Sequence, residues 1–330
     1  MIAFTGKQMS SKPKLLVTRK LTDDVEARIS ENYDAVLNED DRVMDQDELV
    51  ALADGCAGIL MTSTEPHKAD LIARLPDSVK ILATFSVGYD HIDVPAATAK
   101  GLSVTNTPDV LTNATADIAL LLLLGAARGV YWAEPMVREG TWQSWSPTHP
   151  LGYDVSGKKL GILGMGRIGR AVAQRARAFE MEIHYHKRSR LPEDLELGAT
   201  FHADLDSFLA ECEFLSLNCA STAETRGIIN SETIAKMPDG AIIVNTARGD
   251  VVDDDALIAA IESGKVAAAG LDVFKGEPNL DPRYRTLKNT FLLPHIGSAT
   301  QGTRSGMGHR AVDNLDAFFA GKTPGDLVTA

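Results

Sequence analysis

Leu160-Gly161-Ile162-Leu163-Gly164-Met165-Gly166-Arg167-Ile168-Gly169 decides the fold of this chain. An apolar run enters a G-x-G-x-x-G turn, and Ile168, Val172, Ala176 and Phe179 then recur at helical spacing. Strand, turn and helix in that order form the phosphate-binding unit of a doubly wound α/β domain. Gly164 permits the tight turn, Gly166 lets a pyrophosphate approach the backbone, and Gly169 lets helix and strand pack closely. The helix N-terminus adds unpaired N–H groups and a positive dipole end. Gly164, Gly166, Arg167, Ile168 and Gly169 are therefore expected to hold a dinucleotide.

The next strand, Glu182–His186, ends at the point where an Asp or Glu would accept the ribose 2′-hydroxyl of NAD, about 20 residues on. Here His186 is followed by Lys187-Arg188-Ser189-Arg190, with no carboxylate. Two cations and a hydroxyl favour a 2′-phosphate by charge-assisted hydrogen bonds. NADP(H) is the preferred cofactor and NAD(H) the possible one, with His186, Lys187, Arg188 and Ser189 as contacts. A solvated basic turn is the alternative.

Short apolar runs alternate with amphipathic stretches on both sides of this unit, the pattern of parallel sheets flanked by helices. Upstream, strands are expected at 14–18, 57–61, 79–83 and 102–105, with helices at 23–31, 47–53 and 69–75. An apolar helix follows over 109–127, capped by Thr112 or Asn113, and then a helix over 131–140 and an irregular Trp-containing stretch over 141–153. Downstream, strands are expected at 160–163, 182–186, 214–217, 241–245, 266–271 and 291–293. A final helix over 299–320 presents Ala311, Leu315, Phe318 and Phe319 on one face and stops at Gly321.

With 330 residues, 44% of them hydrophobic, the chain is long enough for two ordinary cores and too apolar for disorder. A net charge of −12, from 33 Lys+Arg and 45 Asp+Glu, argues against broad binding to nucleic acid or anionic membrane. Any anionic ligand must be held by a local positive cluster. The three cysteines, Cys56, Cys212 and Cys219, are too scattered for a disulfide framework or a zinc site, and no metal site is expected. Met1 to Lys20 lacks a signal-peptide core, and the apolar run Ile118 to Ala127 is half of what spans a bilayer. A soluble, cytoplasmic protein is expected.

Three charged side chains follow successive strand ends: Arg248 in Asn245-Thr246-Ala247-Arg248-Gly249, Glu277 in Asp272-Val273-Phe274-Lys275-Gly276-Glu277-Pro278, and His295 in Leu293-Pro294-His295-Ile296-Gly297-Ser298-Ala299-Thr300. Each alone reads as a surface ion pair, a solvated turn or a core histidine. Together, beside a dinucleotide turn, they suit proton and hydride transfer.

These motifs, taken in order with the glycine turn, resemble the D-isomer-specific 2-hydroxyacid dehydrogenase family over nearly the whole chain. The basic turn and Asn106-Thr107-Pro108-Asp109-Val110-Leu111 are most similar to its glyoxylate/hydroxypyruvate reductases. The resemblance implies two doubly wound parallel-sheet domains. One is a flavodoxin-like substrate-binding domain (1–107 plus 299–330). The other is a Rossmann-type coenzyme domain (108–298), with a homodimer formed through about 109–153, rich in Trp132, Trp142 and Trp145.

The resemblance also implies that His295 is the general acid, held by Glu277, and that Arg248 grips the substrate carboxylate and carbonyl. Ser86, Val87 and Gly88, in Phe85-Ser86-Val87-Gly88-Tyr89-Asp90, would form the carboxylate-binding loop. Further cofactor contacts fall on Thr115, Cys219, Ala220, Thr225, Thr246, Ala247, Asp272, His295 and Gly297.

The expected reaction is NADPH-dependent reduction of glyoxylate and hydroxypyruvate. Competing readings are a reductase of larger 2-keto sugar acids such as 2-ketogluconate, and an NAD(H)-sensing corepressor-like binding protein.

Overall fold

The computed structural model describes residues 12–329; the segment up to residue 11, part of the stretch read above for a signal peptide, lies outside them. The chain forms two compact units, one running to Leu111 and resuming at Thr300, the other Thr112–Ala299. The units divide between residues 111 and 112 and between 299 and 300.

In the first unit, β1 (Lys14–Val17), β2 (Asp34–Val36), β3 (Gly58–Met61), β4 (Ile81–Thr84) and β5 (Ser103–Thr105) form a parallel sheet of order β2-β1-β3-β4-β5, the flavodoxin-like order. Consecutive residues face opposite sides. Leu16, Ile59 and Leu82 pack on the helices Gln46–Leu52, Ala69–Arg74 and Val94–Ala99. Leu15, Leu60 and Ile81 pack on Asp23–Asn32 and on the last helix, Gln301–Phe319, through Met307, Ala311, Val312 and Leu315. That helix starts at the side-chain cap of Thr300, and Gly321 follows it in the left-handed conformation its stop requires (φ +71°).

In the second unit, β6 (Lys159–Leu163), β7 (Glu182–His186), β8 (Thr200–His202), β9 (Phe214–Leu217), β10 (Ala241–Asn245), β11 (Val266–Leu271) and β12 (Thr290–Leu292) form a parallel sheet of order β12-β11-β10-β9-β6-β7-β8. From β8 inward this is the 3-2-1-4-5-6 Rossmann order with one strand added. Pairing aligns Leu292, Leu271, Asn245, Leu217, Leu163 and His186 across one edge. The residues that follow therefore leave the sheet together. The helix Thr112–Ala127, apolar around most of its surface, packs against one face beside Arg167–Arg177, to which it is tied by an ion pair from Asp117 to Arg175.

Several details differ from expectation. The apolar helix begins at Thr112, so Thr112 and Asn113 lie in its first turn instead of capping it; Asp109 sits upstream with φ +70°. Phe179 does not continue the helical face, because the helix ends at Arg177, and its ring is 39% exposed. The short strands β2 and β8 have no counterpart among the expected strands: each is three residues long with no fully buried side chain. Among the described residues no single helix is long and apolar enough to cross a membrane.

Candidate active site

At the end of β6 each glycine meets a different constraint. Gly164 has φ +96°, and a Cβ there would lie 2.6 Å from the Cys219 nitrogen beyond β9. Only glycine satisfies both conditions. A Cβ on Gly169 would fall 2.3 Å from the Gly164 carbonyl oxygen, so the helix lies directly on the turn. A Cβ on Gly166 would meet nothing within 4 Å. Gly166 is the N-cap of the helix Arg167–Arg177 without a side-chain cap, and the first-turn N–H groups have no helical acceptor. The turn is closed by packing at its ends and open at its middle, as a dinucleotide pyrophosphate requires. The residues present fit that group.

At the end of β7, the His186 Nδ1 is 2.9 Å from the His202 carbonyl oxygen. Arg190 makes a two-pronged contact (2.8 and 2.9 Å) with Glu196, whose carboxylate also accepts from the Tyr185 hydroxyl at 2.5 Å. Arg190 is thereby committed to the fold. Lys187 is half-buried, Arg188 and Ser189 are exposed, and neither cation forms an ion pair among the described residues.

Beyond β10, the Asn245 side chain folds the turn that carries Arg248. Its Oδ1 accepts from the Ala247 N–H (2.9 Å) and its Nδ2 donates to the Arg248 carbonyl (2.9 Å). A Cβ on Gly249 would lie 1.9 Å from the Phe274 carbonyl carbon, so this turn rests on the backbone that leads to Glu277. Beyond β11, Asp272 is buried, and its two oxygens accept from the N–H groups of Ile296 (2.7 Å) and Gly297 (2.8 Å). Burial pushes its carboxyl up, against those two bonds and the His295 charge. Between the clamp and Leu293, His295 adopts φ +55°.

The His295 Nδ1 is 2.5 Å from Glu277 Oε1, while Glu277 Oε2 accepts from the Phe274 N–H at 3.1 Å. Burial raises the Glu277 carboxyl. The hydrogen bond and charge of His295, the Phe274 N–H and the charge of Arg248 outweigh it, and the group is held below its ordinary value. An ionised carboxylate only accepts, so Nδ1 carries a proton and Nε2 is the nitrogen left for other work. This unit therefore contains an imidazole oriented by a carboxylate, with a guanidinium whose charge reaches the same carboxylate. That arrangement can hold a proton and an anion.

Other expected contacts serve the fold as well. Thr115 Oγ1 donates to the Gly297 carbonyl at 3.2 Å. Thr225 Oγ1 donates to the Ala220 carbonyl at 2.6 Å and accepts from the Thr222 N–H at 2.8 Å. Burial pushes the Cys219 thiol up to about 11. Ala247 is buried, and the Thr246 hydroxyl is buried without a hydrogen-bond partner among the described residues. No group of His, Cys, Asp and Glu among the described residues is arranged to hold a metal ion.

In the first unit, β4 leads into Ser86-Val87-Gly88. The Ser86 carbonyl accepts from the Thr107 N–H (2.9 Å) and the Val87 carbonyl from Asn106 Nδ2 (2.8 Å). A trans peptide directs its N–H opposite to its carbonyl. Pinning these two carbonyls therefore aims the N–H groups of Val87 and Gly88 the other way, and neither has an acceptor among the described residues.

Asn106, Asn245 and Gly249 lie inside stretches quoted above but had no role there. An Asn at the end of a strand is an Asx-turn signal that marks Asn245, whose Oδ1 accepts from Ala247 two residues on; the reach of Asn106 to Val87 has no local signal. The closeness of Gly249 to Phe274 has no sequence signal.

A Rossmann sheet with this turn and this imidazole–carboxylate pair defines a nicotinamide-dependent oxidoreductase. Residues 120–297 match the model of the D-isomer specific 2-hydroxyacid dehydrogenase, NAD binding domain. The chain is 45% identical to glycerate dehydrogenase of Hyphomicrobium methylovorum over 94% of its length and 97% of the relative's. It is 44% identical to glyoxylate reductase of Thermococcus onnurineus over 96% of each. An NADPH-dependent glyoxylate/hydroxypyruvate reductase of Sinorhizobium meliloti, solved with NADP and malonate, superposes with a TM-score of 0.86 at 35% identity, over 97% of both chains. The protein belongs to the D-isomer-specific 2-hydroxyacid dehydrogenase family and is an oxidoreductase of 2-hydroxyacids.

Proposed function

We propose that this enzyme reduces glyoxylate and hydroxypyruvate with NADPH, and that protonated His295 is its general acid. The observation that carries the reading is the 2.5 Å bond between His295 Nδ1 and Glu277, which orients the ring and leaves Nε2 as the nitrogen through which a proton can pass. When bound, the nicotinamide supplies a hydride to the 2-keto carbon. His295 Nε2 gives its proton to the keto oxygen, so that R–CO–COO⁻ gains one hydride and one proton and becomes R–CHOH–COO⁻. Glu277 keeps the ring oriented and offsets the imidazolium charge before transfer. Arg248 pairs with the substrate carboxylate and carbonyl oxygen, polarising the carbon under attack. Within the first unit, Val87 and Gly88 offer two N–H groups suited to a substrate carboxylate.

NADPH is favoured because Lys187, Arg188 and Ser189 stand where a carboxylate would select NAD. The name of the Sinorhizobium relative agrees with both cofactor and substrate. Gly164, Gly166, Arg167, Ile168 and Gly169 would hold the pyrophosphate. On this reading the first unit binds substrate and the second binds coenzyme. A homodimer forms through the helix Val130–Arg138 and the segment after it, where Val137 (66% exposed), Trp142 (58%), Trp145 (79%) and Leu151 (72%) lie open. Val137→Asp is expected to shift sedimentation from dimer to monomer.

The deciding assay follows NADPH and NADH oxidation with glyoxylate, hydroxypyruvate and 2-ketogluconate. The proposal expects the first two to turn over fastest, with NADPH. Fastest turnover of 2-ketogluconate, or none with any 2-oxoacid, overturns it. His295→Gln and Arg248→Ala should each remove most activity.

A further inference from the structure

A buried chain of hydrogen bonds runs from the interior of the first unit to the loop that offers the Val87 and Gly88 N–H groups. His91 Nε2 is 2.9 Å from Thr84 Oγ1, Thr84 Oγ1 is 2.9 Å from Ser86 Oγ, and Ser86 Oγ is 2.6 Å from the Gly88 carbonyl oxygen. Thr84 is fully buried at the end of β4, and His91 is 7% exposed.

Only one direction of proton donation satisfies every link. A carbonyl can only accept, so the single Ser86 hydroxyl proton lies toward Gly88. Ser86 Oγ must then accept from Thr84, whose one proton is used in turn. Thr84 Oγ1 must accept from His91, which therefore carries a proton on Nε2. The chain reads His91 to Thr84 to Ser86 to Gly88, with the imidazole as its source.

Its last link fixes the third consecutive peptide of the loop. The Ser86 and Val87 carbonyls are held by Thr107 N–H and Asn106 Nδ2; the Gly88 carbonyl is held by Ser86 Oγ. Gly88 is the residue whose backbone is least restricted, and it is pinned on both sides only if this third bond forms. We infer that His91 is a positioning residue for the substrate carboxylate, acting through Thr84 and Ser86 to immobilise the Gly88 backbone. This rests on the reading that the loop binds that carboxylate.

The test measures glyoxylate KM and kcat, NADPH Kd and melting temperature for His91→Leu and Thr84→Val, each of which breaks one link. Each should raise KM about five- to tenfold, the worth of one hydrogen bond, with kcat within about twofold and NADPH Kd unchanged. His91→Gln and Thr84→Ser restore the donor, and each should recover KM even where the apolar variants melt early. Asn106→Ala releases the Val87 carbonyl without touching the chain and tests the loop itself. A raised KM in Asn106→Ala with native KM in His91→Leu and Thr84→Val overturns the inference and leaves the loop reading standing. Native KM in all three overturns both. A KM raised in the apolar variants and not recovered by His91→Gln or Thr84→Ser also overturns it, since volume and not donation would then be the cause.

Discussion

Alanine at Gly166 and alanine at Gly169, within the same turn, should fail in opposite ways. Gly166 has φ −81° and ψ −156°, a conformation open to any L residue, and its Cβ would meet nothing within 4 Å. Gly166→Ala gains about 0.4–1 kcal/mol from a stiffer unfolded chain and loses a comparable amount because alanine is a poor N-cap. The melting temperature should therefore stay within about 3 °C of native. The new methyl group stands in the open middle of the turn, where the pyrophosphate would approach. Loss of one charge-assisted hydrogen bond there, about 1.5–3 kcal/mol, weakens NADPH roughly ten- to a hundredfold. Gly169→Ala puts its methyl 2.3 Å from the backbone oxygen of Gly164, which cannot rotate away. Overpacking of that kind costs about 1–3 kcal/mol and should lower the melting temperature by several degrees. The assays are thermal melting without cofactor and titration of NADPH fluorescence. Native NADPH affinity in Gly166→Ala would refute the assignment of this turn to the cofactor, and native melting in Gly169→Ala would refute the packing.

Replacing Lys187 and Arg188 together by alanine should lower the kcat/KM ratio of NADPH to NADH by about tenfold or more, the worth of at least one charged hydrogen bond; an unchanged ratio places the 2′-phosphate elsewhere. Glu277→Gln keeps an acceptor and removes the charge, so kcat/KM for oxoacid reduction should fall about ten- to a hundredfold. Because the Glu277 carboxyl is held below its ordinary value, its contribution to stability is present above about pH 4.3 and is lost as pH falls through the folded-state value. The melting temperatures of native and Glu277→Gln protein should therefore converge below about pH 4, and a gap that widens there contradicts the pairing. With its thiol pushed up to about 11, Cys219 should react slowly with iodoacetamide at pH 7.5; rapid labelling would show that its surroundings do not hold the thiol protonated.

Much of the second unit is legible in sequence because its central strands are buried on both faces. Phe214–Leu217, Ala241–Asn245 and Val266–Leu271 are fully buried and are readable to the residue. The edge strands Asp34–Val36 and Thr200–His202 are not, since half-exposed triplets carry no apolar run. Val94–Ala99 escapes a sequence reading for another reason: Pro95 reads as a breaker, although at the first turn it needs no N–H partner. Arg248, Glu277 and His295 can be found because they follow readable strands. Of the groups that hold them, Asn245 carries a local turn signal and the others do not. Asp272 reaches forward 24 and 25 residues to the N–H groups of Ile296 and Gly297, and Gly249 abuts Phe274, through contacts that no local pattern encodes.

The left-handed backbone of His295 sets stability against chemistry at a single codon. A residue with a Cβ at φ +55° costs about 1 kcal/mol relative to glycine, and the two Asp272 bonds hold it there. Glycine or asparagine at this position would relax the backbone and leave the clamp intact. Directed evolution that selects only for heat resistance should therefore enrich His295→Gly or His295→Asn and discard the imidazole. Ancestral drift is open to the same exchange, so inactive relatives that have kept the fold should more often have lost the imidazole than the aspartate that braces it.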